Sequence, residues 1–177
     1  YRERIKPTCQ QYDIFSHTPR HGGNELDISG MITYTVADKW LKNGGQLVFL
    51  LTQTHFQSPS SYGFRKFRIT DGAFFEVVQV DDFSSIQPFS DATNKTSVAL
   101  MKKGTRGTEY PVKYRIFSCK PGVPKRLAED LSYKQVMDLL ASSWMEASEV
   151  GDKGSPWAIL PSGVFSRLSS IRGTSSN

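Results

Sequence analysis

The pattern of apolar residues predicts a helix followed by a buried strand in the first third of the chain. The apolar positions of the helix have the three- and four-residue spacing of one buried stripe: Ile28, Met31, Ile32, Val36 and Trp40. Asp27 can cap the start of this helix, and Asn43, Gly44 and Gly45 can end it. Residues 47–51 are all apolar, which predicts a strand that is covered on both faces and central in a parallel sheet.

Further strands and helices are predicted downstream of residue 60. Residues 62–69 alternate aromatic and basic side chains as a short amphipathic helix does. Residues 74–80 and 96–101 are rich in aromatic and β-branched residues, and the loop between them is too short for a crossover helix, so they are predicted to form an antiparallel pair. Residues 110–117 are predicted to form an edge strand, and a helix is expected to begin at Ser132 and run to about Trp144.

These patterns divide the chain into four parts. The length of 177 residues favours one main core. We expect a lead-in loop over 1–25, an α/β region over 26–120, a helical appendage over 121–149, and a linker or tail rich in Gly, Ser and Pro over 150–177.

Composition limits the classes of protein to consider. Hydrophobic residues make up 38% of the chain, which is too much for a disordered protein. No run approaches the roughly 20 apolar residues that span a bilayer, so we expect no membrane partner and a cytoplasmic location. Cys9 and Cys119 stand far apart without a CxxC motif, and no metal site is predicted. The net charge of +5 suits a polyanionic partner.

Several motifs in a fixed order resemble those of one enzyme family. The helix end at 40–45, followed by the strand at 46–51, resembles a unit of the class I methyltransferases that use S-adenosylmethionine. The continuation through 52–56, 63–69, 77–82 and 88–96 is similar to the large adenine-specific methylases of restriction-modification systems. The resemblance covers about residues 27–117 and, more faintly, 155–157, which lies in such enzymes near the passage toward a DNA-recognition region.

The resemblance implies a fold and a reaction. The fold would be α/β, a partial Rossmann-like methyltransferase sheet made of the later strands, parallel plus an antiparallel pair, with flanking helices. The reaction would transfer a methyl group from S-adenosylmethionine to the N6 atom of adenine in double-stranded DNA. The alternatives are a non-catalytic scaffold or DNA-binding module that works with another chain, and a methyltransferase that acts on RNA or protein.

The catalytic motifs of the family are not found in this sequence. Neither its glycine-rich cofactor loop nor its Asn-Pro-Pro-Tyr or Asn-Pro-Pro-Trp tetrapeptide occurs among the 177 residues. Because both precede the matched region in the family, and because the first residue is Tyr1, we expect a piece of a longer protein whose upstream part supplies them. No catalytic residue is therefore assigned, and the chain alone is not expected to be active.

The resemblance and the basic clusters suggest three groups of binding residues. Phe89 matches the aromatic residue that lies against the extruded adenine, with Asn94 and Lys95 beside it, although Phe89 in the core and a solvated turn are the alternatives. A ligand-edge loop is expected at the carboxyl end of the buried strand: Thr52, Gln53, Thr54 and His55. Contacts to the DNA backbone, or simply solvated basic faces, are expected at Arg65, Lys66, Arg68, Lys102, Lys103 and Arg106.

Two other possibilities for chemistry are not favoured. His55, like His17 and His21, is interpreted as a loop histidine without an acid or base role, because no cysteine or carboxylate constellation accompanies it. The pair Asp81 and Asp82 is attributed to the turn that follows a strand, where aspartate is common for backbone reasons.

Overall fold

The computed structural model describes residues 2–14, 28–89 and 94–173. Within these ranges the helices are α1 (Arg2–Gln11), α2 (Ile28–Lys39), α3 (Thr54–Gln57), α4 (Tyr62–Arg65), α5 (Tyr133–Leu139) and α6 (Val164–Gly173), with a 3-10 turn at Pro59–Ser61. The strands are β1 (Gln46–Thr52), β2 (Arg68–Thr70), β3 (Ala73–Asp82), β4 (Thr96–Gly104), β5 (Val112–Cys119), β6 (Leu140–Glu149) and β7 (Trp157–Pro161). The predicted cap at Asp27 and the histidines His17 and His21 lie outside the described residues.

The described strands form one mixed sheet, which confirms the α/β fold class. The strand order is β1-β4-β3-β5-β6-β7, and β2 pairs with β3. Strands β3 and β5 are parallel, and the other pairs are antiparallel. The predicted antiparallel pair is confirmed as β3 and β4. Because β4 lies antiparallel between β1 and β3, those two strands run in the same direction, which is compatible with a partial Rossmann-like sheet.

The hydrophobic core lies on one face of the sheet, beneath the helices. Leu51, Met101 and Tyr114 from three strands belong to the same buried cluster as Tyr34 of α2 and Phe64 of α4. The Tyr34 hydroxyl donates to the Phe64 carbonyl over 2.5 Å, so this buried polar group is satisfied. We call the face that carries these residues the helix-covered face, and the opposite one the outer face.

The position predicted for the first strand is wrong. Strand β1 lies at the edge of the described sheet, and its partner there is the antiparallel strand β4. Leu51 is buried, whereas Val48 and Leu50 on the outer face are 63% and 48% exposed. The apolar run predicts a strand with two apolar faces, but it does not specify which neighbours cover them.

The N-terminal predictions are also corrected. The predicted lead-in loop contains α1, in which Ile5 and Cys9 are buried at a helical spacing that Pro7 conceals in the sequence. The buried side of α2 consists of Gly30, Thr33, Tyr34 and Ala37, not the predicted stripe. Small and hydroxyl-bearing residues let α2 approach its neighbours closely: a Cβ atom on Gly30 would lie 3.0 Å from the His55 ring.

The predicted amphipathic helix over 62–69 is shorter than expected. Helix α4 ends at Arg65, and Phe67 then adopts a φ of +51°, which turns the chain into β2. Ile69 is therefore a buried strand residue. Over so few positions, alternation of aromatic and basic residues is typical of a short strand as well as of a helix, so the pattern does not distinguish the two.

The last third of the chain differs most from the predictions. Ser132 caps α5: its hydroxyl accepts from the Gln135 N–H, and the Gln135 side chain accepts from the Ser132 N–H. A helix therefore begins where the sequence predicts it. However, the helix ends at Leu139, and the chain continues as β6, which makes β5 an internal strand instead of an edge. The predicted tail contains β7 and α6.

Trp157 anchors the C-terminal part of the chain and should dominate its stability. Its ring is buried and lies 4.8 Å from the Phe56 ring and 5.9 Å from the Phe67 ring, centroid to centroid. We predict that Trp157→Ala lowers the free energy of unfolding by about 3–5 kcal/mol, because it leaves a large cavity. The control Trp40→Ala removes an exposed ring and should change it by less than about 0.5 kcal/mol in urea denaturation. Equal effects would contradict the burial of Trp157.

Candidate nucleic-acid interface

Two predicted loops meet at the carboxyl end of β1. Thr52, the last residue of β1, pairs with Thr96, the first residue of β4. The Gln53 N–H donates to the Lys95 carbonyl over 2.9 Å. This bond joins the predicted ligand-edge loop to the base-facing loop, by which we mean the loop predicted to contact the adenine through Phe89, Asn94 and Lys95. We call residues 52–55, 83–89 and 94–96 the strand-end site.

Phe89 lies at the surface of the strand-end site. Its side chain is 46% exposed, so the alternative that it fills the core is not what the structure shows. Asn94 and Lys95 are exposed as well, and residues 90–93 lie outside the described ranges. An aromatic ring, an amide and a cation are thus available at one end of the sheet.

The four residues of the ligand-edge loop divide into two exposed to solvent and two buried. Thr54 is exposed, and its hydroxyl oxygen lies 2.9 Å from that of the half-buried Thr52. Gln53 and His55 are buried. The His55 ring stacks on Phe64 at 4.4 Å, and its Nε2 atom lies 3.1 Å from the Ser29 hydroxyl oxygen. These contacts fix α3 against α2.

A buried acid and a buried phenol fix the start of the loop that carries Phe89. The Tyr114 hydroxyl donates to Asp82 Oδ2 over 2.6 Å, and the Ser84 N–H donates to Asp82 Oδ1 over 2.7 Å. Burial, followed by the negative charge of Asp82, raises the pKa of the Tyr114 phenol well above its usual range, so the phenol keeps its proton and stays a donor. Asp82 therefore has the turn role expected from the sequence and also anchors the loop to β5.

An apolar groove, which the sequence did not predict, extends from the strand-end site over the outer face. It encloses about 440 Å³ between the sheet and the segment 125–140. Leu50, Phe83 and Val98 form part of its floor, while Lys125 and Glu129 lie on the segment across from them. The sequence analysis treated residues 121–149 as a separate helical appendage. Because an appendage has no contact with the sheet, a groove between the two was not expected.

Arg65 lies in the interior, so it is not placed for the predicted contact with the DNA backbone. Its side chain is fully buried. Its Nε atom donates to the carbonyls of Gly154 and Ser155 at 3.0 and 2.9 Å, and Nη1 donates to the His55 carbonyl at 2.8 Å. Burial lowers the pKa of the guanidinium to about 10, so the group remains charged at neutral pH.

Two of the predicted backbone-binding lysines are engaged within the protein. Lys66 forms an ion pair with Asp13 at 2.6 Å. Lys103 Nζ donates to the carbonyls of Ala37 and Asp38 at the C-terminal end of α2, where the helix leaves carbonyl groups unsatisfied. Both ammonium groups are therefore less available to a phosphate than the sequence suggested.

The other predicted basic residues are exposed but far from the strand-end site. Arg68, Lys102 and Arg106 are in loose ion pairs of 3.7–3.8 Å with neighbouring carboxylates. Lys102 pairs with Gln46, the first residue of β1, and a strand of this length separates it from Thr52 by about 20 Å. The structure thus does not bring this cluster to the strand-end site.

Loss of Arg65 should affect stability, in contrast to loss of a surface arginine. We predict that Arg65→Met lowers the free energy of unfolding by about 3 kcal/mol or more, because three buried carbonyls lose their donor. The matched control Arg68→Met removes an exposed guanidinium and should change it by less than about 0.5 kcal/mol. Urea denaturation followed by circular dichroism measures both. If the Arg65→Met protein is as stable as the wild type but binds DNA more weakly, the prediction that Arg65 contacts the DNA backbone would be supported after all.

Among the described residues, His, Cys, Asp and Glu do not gather in threes as a metal site requires. The helices of the described ranges are too short or too polar to cross a bilayer. Comparison of the sequence with protein-family models and with curated proteins gives no match.

Proposed function

We propose that this chain is the later half of a DNA adenine-N6 methyltransferase domain of a restriction-modification enzyme, and that it contributes the half-sheet and the base-facing loop. The upstream part of the same polypeptide would supply the cofactor loop and the Asn-Pro-Pro-Tyr or Asn-Pro-Pro-Trp tetrapeptide. The observation that carries the proposal is that β1, a strand with two apolar faces, lies at the edge of the described sheet with one face exposed.

An edge strand of this kind is unusual unless a further strand pairs with it. Natural edge strands are protected by charged residues, proline or bulges. Residues 47–51 contain none of these charges or prolines, and β1 pairs with β4 without a register shift. Another strand beside β1, with a layer over Val48 and Leu50, would satisfy the edge and bury the exposed apolar side chains.

The strand-end site supports the same proposal through its position. Ligands of open α/β sheets bind beyond the carboxyl ends of the strands, and both β1 and β3 end there. Phe89 would stack on the extruded adenine, Asn94 would hydrogen-bond the edge of the base, and Lys95 would contact a phosphate. Double-stranded DNA is thus the proposed partner, and the cytoplasmic location expected from the sequence belongs to the same proposal.

The described residues fit the base better than the cofactor. The exposed polar and aromatic groups of the site are two hydroxyls, an aromatic ring, an amide and a cation, from Thr54, Ser85, Phe89, Asn94 and Lys95. Among the described residues of the site, these groups include no carboxylate for the hydroxyls of a ribose and no glycine-rich turn for close approach of a ligand. We therefore assign S-adenosylmethionine to the upstream part.

The chain alone should not bind the cofactor with useful affinity. We predict that titration of the isolated chain with S-adenosylmethionine gives no heat of binding at micromolar concentrations, because the binding loop is contributed by other residues. Isothermal titration calorimetry measures this, with the full-length parent protein as the positive control. Micromolar affinity of the isolated chain would contradict the proposal that the upstream part binds the cofactor.

Phe89 should act on the reaction more than on duplex binding. In the full-length parent, we predict that Phe89→Ala lowers methyl transfer to adenine about tenfold or more, while duplex affinity falls less than threefold, because stacking follows extrusion. Incorporation of labelled methyl groups and fluorescence anisotropy measure the two quantities. Tyr133→Ala, which removes another exposed aromatic ring, is the matched control.

Two outcomes would argue against the proposal. If the parent protein transfers no methyl group to DNA but binds it, the non-catalytic DNA-binding module becomes the better interpretation. If Phe89→Ala lowers methyl transfer, duplex affinity and melting temperature together, Phe89 has a structural role instead.

A further inference from the structure

A row of directly paired residues crosses the outer face of the sheet. It runs from Leu50 through Val98, Asp81 and Arg115 to Trp144, one residue from each of five strands. Directly paired residues project from the same face of a sheet. The row therefore leads from the floor of the apolar groove to an aromatic residue on β6.

The second half of the row is a preorganised stack of rings around a cation. Arg115 is held by Asp81 through two hydrogen bonds, Nε to Oδ1 at 3.0 Å and Nη2 to Oδ2 at 2.6 Å. The Arg115 guanidinium lies 4.6 Å from the centre of the Phe117 ring and 5.0 Å from that of Trp144. Phe117 in turn stacks on Phe83 at 4.8 Å with an interplanar angle of 12°.

Trp144 ends this stack at the surface. Its side chain is 53% exposed, and the residues before it, 141–143, are exposed too. Strand β7 pairs with β6 from Met145 onward, so the described structure leaves the first half of β6 open along that edge. The indole is thus in contact with Arg115 on the sheet side, and only small side chains, residues 141–143, precede it on its own strand.

Two carboxylates on the outer face lie near the stack, and each is engaged within the protein. Glu129, which lines the groove, pairs with Arg126 at 3.8 Å, and Glu146, two residues after Trp144, accepts from the Gly163 N–H at 3.2 Å.

The remaining charges near the stack favour a polyanionic ligand. Asp81 neutralises Arg115, so the stack itself carries little net charge. Lys125 lines the same groove as Phe83, and its carbonyl accepts from the Gln87 N–H at 2.9 Å, next to the loop of Phe89. Lys95 is exposed at the strand-end site beyond that loop. The outer face therefore offers cations on one side of an exposed aromatic ring.

We propose that this stack binds an unpaired nucleobase of a DNA strand, with Trp144 as the stacking residue and Lys125 and Lys95 as phosphate contacts. A rigid exposed ring accepts the face of any base, and neighbouring cations follow the backbone. This inference rests on the proposed function for its DNA partner, because extrusion of an adenine leaves its former partner base unpaired. A peptide is less well matched, since the serines beside Trp144 form no walls for side-chain pockets.

The test measures binding of the full chain to a fluorescein-labelled thymidine 12-mer by fluorescence anisotropy. We predict that Trp144→Ala weakens this binding about tenfold, whereas Trp144→Phe retains most of the affinity, because a ring still stacks. Trp40→Ala, which removes an exposed indole next to the opposite end of β1, is the matched control and should leave binding unchanged. Circular dichroism and melting temperature confirm that each variant is folded.

An abasic 12-mer separates stacking from charge. The wild-type chain should bind it about tenfold more weakly than the thymidine strand, and Trp144→Ala should weaken that residual binding no further. Equal affinity for both strands, or an unchanged affinity of Trp144→Ala for thymidine, would overturn the inference. Loss of self-association on Trp144→Ala, measured by sedimentation, would assign the ring to a protein contact and would also overturn it.

Failure of this inference and failure of the proposed function give different results. A parent protein that methylates adenine while Trp144→Ala binds single strands normally would retain the proposed function and remove the stacking role. If the parent protein transfers no methyl group but the chain binds thymidine through Trp144, the stacking role is retained and the proposed function is rejected.

Discussion

The buried guanidinium of Arg65 is the interaction on which the arrangement of the rest depends. It joins the carbonyl of His55, ten residues away, to those of Gly154 and Ser155, about ninety residues away. A charged group in the interior is tolerated when most of its donors are matched by acceptors. Here backbone carbonyls accept from Nε and Nη1, while Nη2 has no partner among the described residues. The contact holds the ligand-edge loop and the approach to β7 at one place, and Trp157 then closes the aromatic cluster beside them.

The hydrogen bonds of Arg65 also help to explain why the two faces of the sheet differ. Because α1 to α4 and Trp157 contribute to the same cluster as Phe56, Phe64 and Phe67, the apolar packing accumulates on the helix-covered face. The outer face receives the segment 125–140, which covers it in part and leaves the groove and the Trp144 stack. The proposed DNA contacts therefore lie on the outer face and on the loops at the carboxyl end of β1.

Local patterns predicted the elements whose formation depends on neighbours in the sequence. The strand at 47–51, the antiparallel pair of β3 and β4, and the cap at Ser132 each have a signal within about ten residues. The strand after α5 does not, because Leu140 continues a helical spacing and becomes extended when it pairs with Cys119. Tertiary pairing outweighs helix propensity at such positions.

The candidate site was predicted in part for the same reason. The meeting of residues 52–55 with Lys95 follows from strand order, which a resemblance to a known fold can suggest. The burial of Arg65 depends on carbonyls that lie some ninety residues away, and its neighbours Lys66 and Arg68 gave no sign of a different environment. The Arg115 stack likewise depends on the cross-strand register, which composition does not reveal.

The exposed side of β1 has a consequence for the behaviour of the purified chain. Two copies related by a twofold axis can align these strands antiparallel, so that a single sheet runs through both molecules and Val48 and Leu50 of the two copies lie side by side on its outer face. Such pairing is favoured at high protein concentration, and in the longer polypeptide proposed above a further strand would occupy the same edge. A mass measured for the isolated chain in solution therefore reports how well this edge is protected.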